Sequence, residues 1–178
     1  SPLKLPAIRN GGFIEASSNR VDDPLFARCL AVADASEMLA IAVVDSCMVS
    51  RKVCDEIKAK VKEKIGLSAN RILISATHTH SAPSAMSFCL GSRKDTDYTR
   101  SMIPRVADGI VAAHARLRPA RVGWAVVDAH EYTNCRRWIR RSDSLGNDPF
   151  GKRTIGAMMH PGYLNPAYTG PSGPIDPQ

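Results

Sequence analysis

No apolar run in these 178 residues approaches the roughly 18–20 needed to cross a bilayer as a helix, which excludes a transmembrane helix from this stretch. Ser1 to Asn10 has neither an initiator Met nor the apolar core of a signal peptide. The chain therefore reads as a processed form or a piece of a longer one. Its five cysteines (Cys29, Cys47, Cys54, Cys89 and Cys135) are odd in number, and no two have CxxC spacing. That excludes a disulfide framework and a cysteine-based zinc module. Aromatics are scarce at 6%, and no zinc-knuckle or RNP-like pattern occurs. So although the formal charge is +7, no nucleic-acid partner is expected. The basic balance leaves an anionic surface or a phosphate-bearing substrate open, with Arg136, Arg137, Arg140 and Arg141 as the densest cluster. There is no internal repeat. What is present is ordinary: 44% hydrophobic and 23% charged residues, enough for one globular domain with an appendage and too apolar for disorder.

Residues 1–24 read as irregular, with Asp22-Asp23-Pro24 as a turn. Leu25 to Ala33 and Met38 to Ser46 read as strands joined by the turn Asp34-Ala35-Ser36-Glu37. The second is nearly continuous in apolar residues, the pattern of a strand covered on both faces. A helix follows. Ser50 caps it, Val53, Ile57, Val61 and Ile65 recur at a spacing of four, and Gly66 closes it. Asn70 to Ala76 is a third strand, and the order strand, helix, strand predicts a crossover with a parallel pair. Tyr98 to Leu117 is a second helix, with Met102, Val106, Ile110 and Ala113 on one stripe. Val122 to Ala129 reads as a fourth strand. From 143 to 178 regular pattern fades, and His160 to Pro177 alone holds five prolines. The expected fold is α/β, a mixed sheet with flanking helices.

The sharpest chemical signal is Ser75-Ala76-Thr77-His78-Thr79-His80-Ser81-Ala82-Pro83. Histidines at i and i+2 on an extended segment point to one side. These two follow an apolar strand, at the end where open α/β sheets place ligands. Neutral imidazole is a common metal ligand. His78 and His80 could share one metal, or one could ligate while the other handles a proton or an oxyanion.

At Ile74 to Pro83 (ISATHTHSAP) the sequence resembles the neutral ceramidases, zinc-dependent amidases that cleave ceramide to sphingosine and a fatty acid. Phe26-Ala27-Arg28, Ala42-Val43-Val44-Asp45, Asn70 to Ser75 and Ile139-Arg140-Arg141-Ser142 are similar in order and spacing. The resemblance covers roughly residues 25–142, which it identifies as the N-terminal part of the catalytic domain. It implies Zn2+ as cofactor, His78 as a metal ligand, His80 as the neighbouring catalytic histidine and Arg141 as a substrate-binding residue. It also implies a lipid-like N-acyl amide as substrate, action at a membrane surface, and a secreted or extracytoplasmic setting.

The remaining family ligands have no counterpart here. His114, His130 and His160 lack the surroundings of a second zinc histidine. With one matched ligand, the segment alone is expected to bind zinc weakly and not to turn over. Asp45 reads as a turn cap rather than a partner of a metal-bound histidine. Cys47 and Cys89 read as buried inert thiols rather than ligands. Asp128, His130 and Glu131 read as a solvated strand end, and Trp124 and Trp138 as packing residues. Two other functions stay open: a different metal-dependent hydrolase that uses the histidine pair, and a non-catalytic module that binds an anionic surface.

Overall fold

A computed structural model describes residues 4–12, 14–161 and 164–174, together with every side chain among them except that of Cys89. The expectation for Cys89 thus lies outside the described residues, as does the end of the expected tail. The chain divides into two units, Ser1–Ala120 and Arg121–Gln178.

In the first unit, β1 (Ala7–Arg9) and β2 (Ala16–Ser18) pair as an antiparallel ribbon. Strands β3 (Ala27–Ala33) and β4 (Met38–Val44) pair antiparallel across a short turn. In that turn the Asp34 carboxylate accepts from the backbone N–H groups of Ser36 and Glu37, at 2.7 and 2.8 Å. Helix α1 (Arg51–Ile65) then crosses over to β5 (Ile72–Ala76), which pairs parallel with β4. The sheet order β3-β4-β5 is mixed, and the fold is α/β.

Local chemistry sets the limits of α1. The Ser50 hydroxyl accepts from the Val53 N–H at 3.4 Å. Gly66, at φ +72°, ends the helix in the left-handed conformation and donates its N–H to the Lys62 carbonyl at 2.9 Å. Helix α2 (Thr96–Ala115) starts on Asp95, whose carboxylate accepts from the Tyr98 N–H at 2.9 Å. Both helices lie on one face of the sheet. Val53, Ile57 and Val61 of α1 and Met102, Ile103, Val106 and Ile110 of α2 meet Ala40, Ala42, Val44 and Ile72 in one core. The small alanines of β4 allow the helices close approach. At Gly109 a Cβ would stand 2.9 Å from the Cys29 sulfur, so α2 is seated against β3 there.

Four expectations are corrected. Among the described residues of the first unit the sheet is covered on one face, not two: β4 alternates, and Leu30, Val32, Leu39, Ile41 and Leu73 are exposed on the far side. The run Val122 to Ala129 is not a strand, because no neighbouring strand pairs with it among the described residues. Trp124 in that run is 89% exposed, so it does not pack as expected. Finally, the segments 1–24 and 143–178, read as irregular, both carry short strands. In the second unit β6 (Arg137–Arg140) is flanked by β9 (Ala157–Met159) and β10 (Tyr168–Pro171), and β7 (Gly146–Asn147) pairs with β8 (Arg153–Ile155). Strands of two to four residues, interrupted by Gly and Pro, are too short to show a period of two. Among the described residues no helix is long and apolar enough to cross a membrane.

Candidate metal centre

The parallel pairing of β4 and β5 ends at Val44 opposite Ala76, and the Thr77 N–H extends it by one bond to the Val44 carbonyl at 3.0 Å. Cys47 and His78 therefore leave the sheet side by side, at the carboxyl ends of two adjacent parallel strands. His78 turns sharply, with φ +61°, a conformation that a non-glycine residue adopts only under constraint from its surroundings.

That constraint is visible. The Nδ1 of His78 lies 2.9 Å from the Cys47 carbonyl oxygen. A carbonyl only accepts, so Nδ1 carries the proton and donates it. In the neutral ring Nε2 then carries the lone pair, the tautomer of a metal ligand whose other nitrogen is held by a backbone carbonyl. This Nε2 faces the Nε2 of His80 at 3.5 Å, and the two rings stand nearly perpendicular, at 87°. The sulfur of Cys47 lies 3.5 Å from His78 Nδ1. Cys47 is 1% exposed, and burial pushes its thiol above the ordinary range. Both histidines are exposed, so the group has one buried wall and one open side.

His80 is positioned from below by a segment far away in sequence. Gly11, at φ +106°, lies so close that a Cβ there would fall 2.3 Å from the His80 Cγ. The segment is tied down by a bridge between Arg9 and Pro83, by the Asn10 N–H to the Ala82 carbonyl at 3.3 Å, and by the Ser84 N–H to the Ile8 carbonyl at 2.7 Å. The Asn10 side chain donates to the Ser84 hydroxyl at 2.9 Å. Nothing in the sequence linked Gly11 to His80. An Asn-Gly-Gly run signals only a turn.

The donor chemistry fits zinc. Imidazole nitrogen and thiolate sulfur are its preferred protein donors. Two zinc–nitrogen bonds of about 2.0–2.1 Å at a near-tetrahedral angle span roughly 3.4 Å, close to the observed 3.5 Å. One donor atom from each of Cys47, His78 and His80 lies within 4.8 Å of the others.

The other sequence candidates fall elsewhere. Asp45 serves β3: it accepts from the Phe26 N–H at 3.0 Å and from the Arg28 guanidinium at 3.0 Å. Beside this loop a cavity of about 630 Å³ is lined by Arg9, Arg20, Asp22, Asp23, Asp45 and Thr79, among others. Arg141 belongs to the second unit. Its fork donates to Asp143 at 3.1 and 2.9 Å, and holds that carboxyl down at about 2. Its neighbour Arg140 is the less exposed of the two, with its guanidinium over the Tyr168 ring and bonded to the Ser144 carbonyl at 2.9 Å. His160 accepts from Arg136 at 2.8 Å, His130 lies in a short helical turn, and His114 sits in the last turn of α2.

The family model described as neutral/alkaline non-lysosomal ceramidase, N-terminal, matches residues 15–138. The match contains Cys47, His78 and His80, and leaves out Gly11 and Arg141. No solved structure matches the chain.

Proposed function

The chain belongs to the neutral/alkaline non-lysosomal ceramidase family, and we propose from this that it carries part of the active site of a zinc-dependent amide hydrolase acting on a lipid-like N-acyl amide. The observation that carries the proposal is the His78–His80 pair, with the lone pair of the neutral His78 ring on Nε2 and facing His80, at the carboxyl end of β5. When bound, zinc lowers the pKa of a bound water to about 7 and polarises an amide carbonyl. The part of this chain is to hold and orient. The Cys47 carbonyl fixes the tautomer of His78. Gly11 sets the ring of His80 beside it, where Nε2 can pass a proton or donate to a carbonyl oxygen as charge develops there. Arg141 offers a planar donor fork to the oxygens of the substrate, once it is released from or shared with Asp143.

One matched family ligand is too few for turnover, so residues 1–178 alone are expected to be silent. The test is release of fatty acid from an N-acylsphingosine by the enzyme that carries these residues. Chelation of zinc and His78→Ala are each expected to abolish it. His80→Ala should lower kcat by about 10²–10⁴-fold, and Arg141→Ala should act mainly on KM. Hydrolysis that survives both the chelator and His78→Ala would overturn the proposal. The charged lining of the cavity favours a second reading, a metal-dependent hydrolase of a smaller and more polar amide or ester. A panel of amides with shortened acyl chains separates the two: the ceramidase reading requires kcat/KM to fall as the chain shortens.

A further inference from the structure

We propose that the cavity of about 630 Å³ beside the histidine loop binds an uncharged polyhydroxylated group, a sugar or polyol, carried as the headgroup of the amide that the enzyme hydrolyses. The inference rests on the reading of His78 and His80 as the reaction centre. It goes further in giving the substrate a headgroup class, and in assigning Arg9 and Asp23 to its recognition.

Four observations carry it. First, the volume is that of a small-molecule site. Second, Thr79, the residue between the two histidines, and Ser81 line the cavity, together with Asp45 just past the carboxyl end of β4. A group seated there lies against the loop that carries the reaction centre. Third, the charges cancel. Arg20 pairs with Asp22 at 2.8 Å, and Asp45 is held at 3.0 Å by Arg28, from outside the lining. That leaves one cation, Arg9, and one anion, Asp23, whose side chains have no ion-pair partner among the described residues. A net anion or cation gains from one of these and is repelled by the other. A zwitterion would use Arg9 and Asp23 alone. A hydroxyl donates to a carboxylate and accepts from a guanidinium at once, so a row of hydroxyls uses these two groups and the Arg20–Asp22 pair together. Fourth, Ser17 and Ser81 add hydroxyls of their own, while Leu5, Val21 and Pro24 give an apolar wall that suits the carbon face of a sugar ring. The guanidinium reaches the cavity because Ala7 and Arg9, two apart on β1, project to the same side of the strand.

The test uses the enzyme that carries these residues, a methyl hexoside as probe and saturation-transfer NMR as readout. The hexoside is expected to bind. Its uronate and amino-sugar counterparts and a zwitterionic amino acid should bind at least about fivefold more weakly. Arg9→Ala and Asp23→Ala each remove only an exposed side chain, and each should weaken hexoside binding about tenfold. The hexoside should also compete with hydrolysis of an N-acylsphingosine, raising KM without changing kcat. No hexoside binding, binding that survives both variants, or tighter binding of a charged or zwitterionic probe would overturn the assignment of the cavity. Binding that leaves hydrolysis untouched would overturn its place in the substrate site. The NMR readout needs no turnover, so the two readings fail separately: an enzyme that binds the hexoside at Arg9 and Asp23 but releases no fatty acid would uphold the binding site and overturn the amidase reading.

Discussion

Gly11→Ala should lower turnover by displacing a histidine nearly seventy positions away in sequence. The added Cβ would stand 2.3 Å from His80 Cγ, 2.6 Å from Cβ and 2.8 Å from Cδ2, where ordinary contact begins at 3.4 Å. The backbone of Gly11 is fixed by the bonds of Asn10 and Arg9 to the histidine loop, so the ring of His80 must give way by about 1 Å. Catalytic groups tolerate displacements of about 0.5 Å. The expected loss is about a hundredfold in kcat. A side chain at φ +106° adds backbone strain of about 1–3 kcal/mol. Gly66→Ala separates these effects. It too sits at positive φ, +72°, but has nothing within 4 Å of the added carbon. It should lower stability without touching kcat. Both variants are measured by urea unfolding and by release of fatty acid from an N-acylsphingosine, in the enzyme that carries these residues. If Gly11→Ala turns over as fast as the wild type, Gly11 does not position His80 and the reasoning fails.

Ile57→Ala, at a fully buried position facing the sheet, should cost about 2–5 kcal/mol in urea unfolding. Leu73→Ala, 59% exposed on the uncovered face, should change stability by about 0.5 kcal/mol or less. A large effect at Leu73 would show that this face is covered in solution. Glu15, held down at about 2 from an ordinary 4.5 by the Arg93 side chain and backbone N–H, ties the start of β2 to the loop before α2. Because the folded value is lowered, its contribution is complete above pH 4.5 and is lost as the pH falls towards 2. Protection of the Ala16–Ser18 amides against hydrogen exchange, taken relative to the unfolded-chain rate at the same pH, should fall over that window, and Glu15→Gln should show the lower protection already at neutral pH. Equal rates in the variant and the wild type at neutral pH would dismiss this tie.

Much of the first unit was legible from local pattern. The spacing of Val53, Ile57, Val61 and Ile65 between Ser50 and Gly66 defined α1, because cap, stripe and stop agreed. The histidine pair was legible as a strand-end motif, because the apolar run Ile72–Ala76 precedes it. What escaped was non-local. Leu39 and Ile41 are as apolar as residues that face a core, so composition could not reveal that the described residues of the first unit leave one face of the sheet uncovered. Val122 to Ala129 has strand composition, but pairing requires a partner, and among the described residues it has none. The role of Gly11 depends on a bridge between Arg9 and Pro83, which no local pattern encodes. Cys47 was read as a buried thiol because no local base was evident, and it is 1% exposed; the imidazole 3.5 Å from its sulfur comes from His78, 31 positions further on, which no local pattern encodes.

The decisive measurement is the zinc content per chain, by elemental mass spectrometry, of the enzyme that carries these residues, purified without chelator, beside His78→Ala. Close to one zinc per wild-type chain, lost in the variant, is expected if His78 anchors the metal. Equal zinc in both proteins, or none in the wild type, would contradict it.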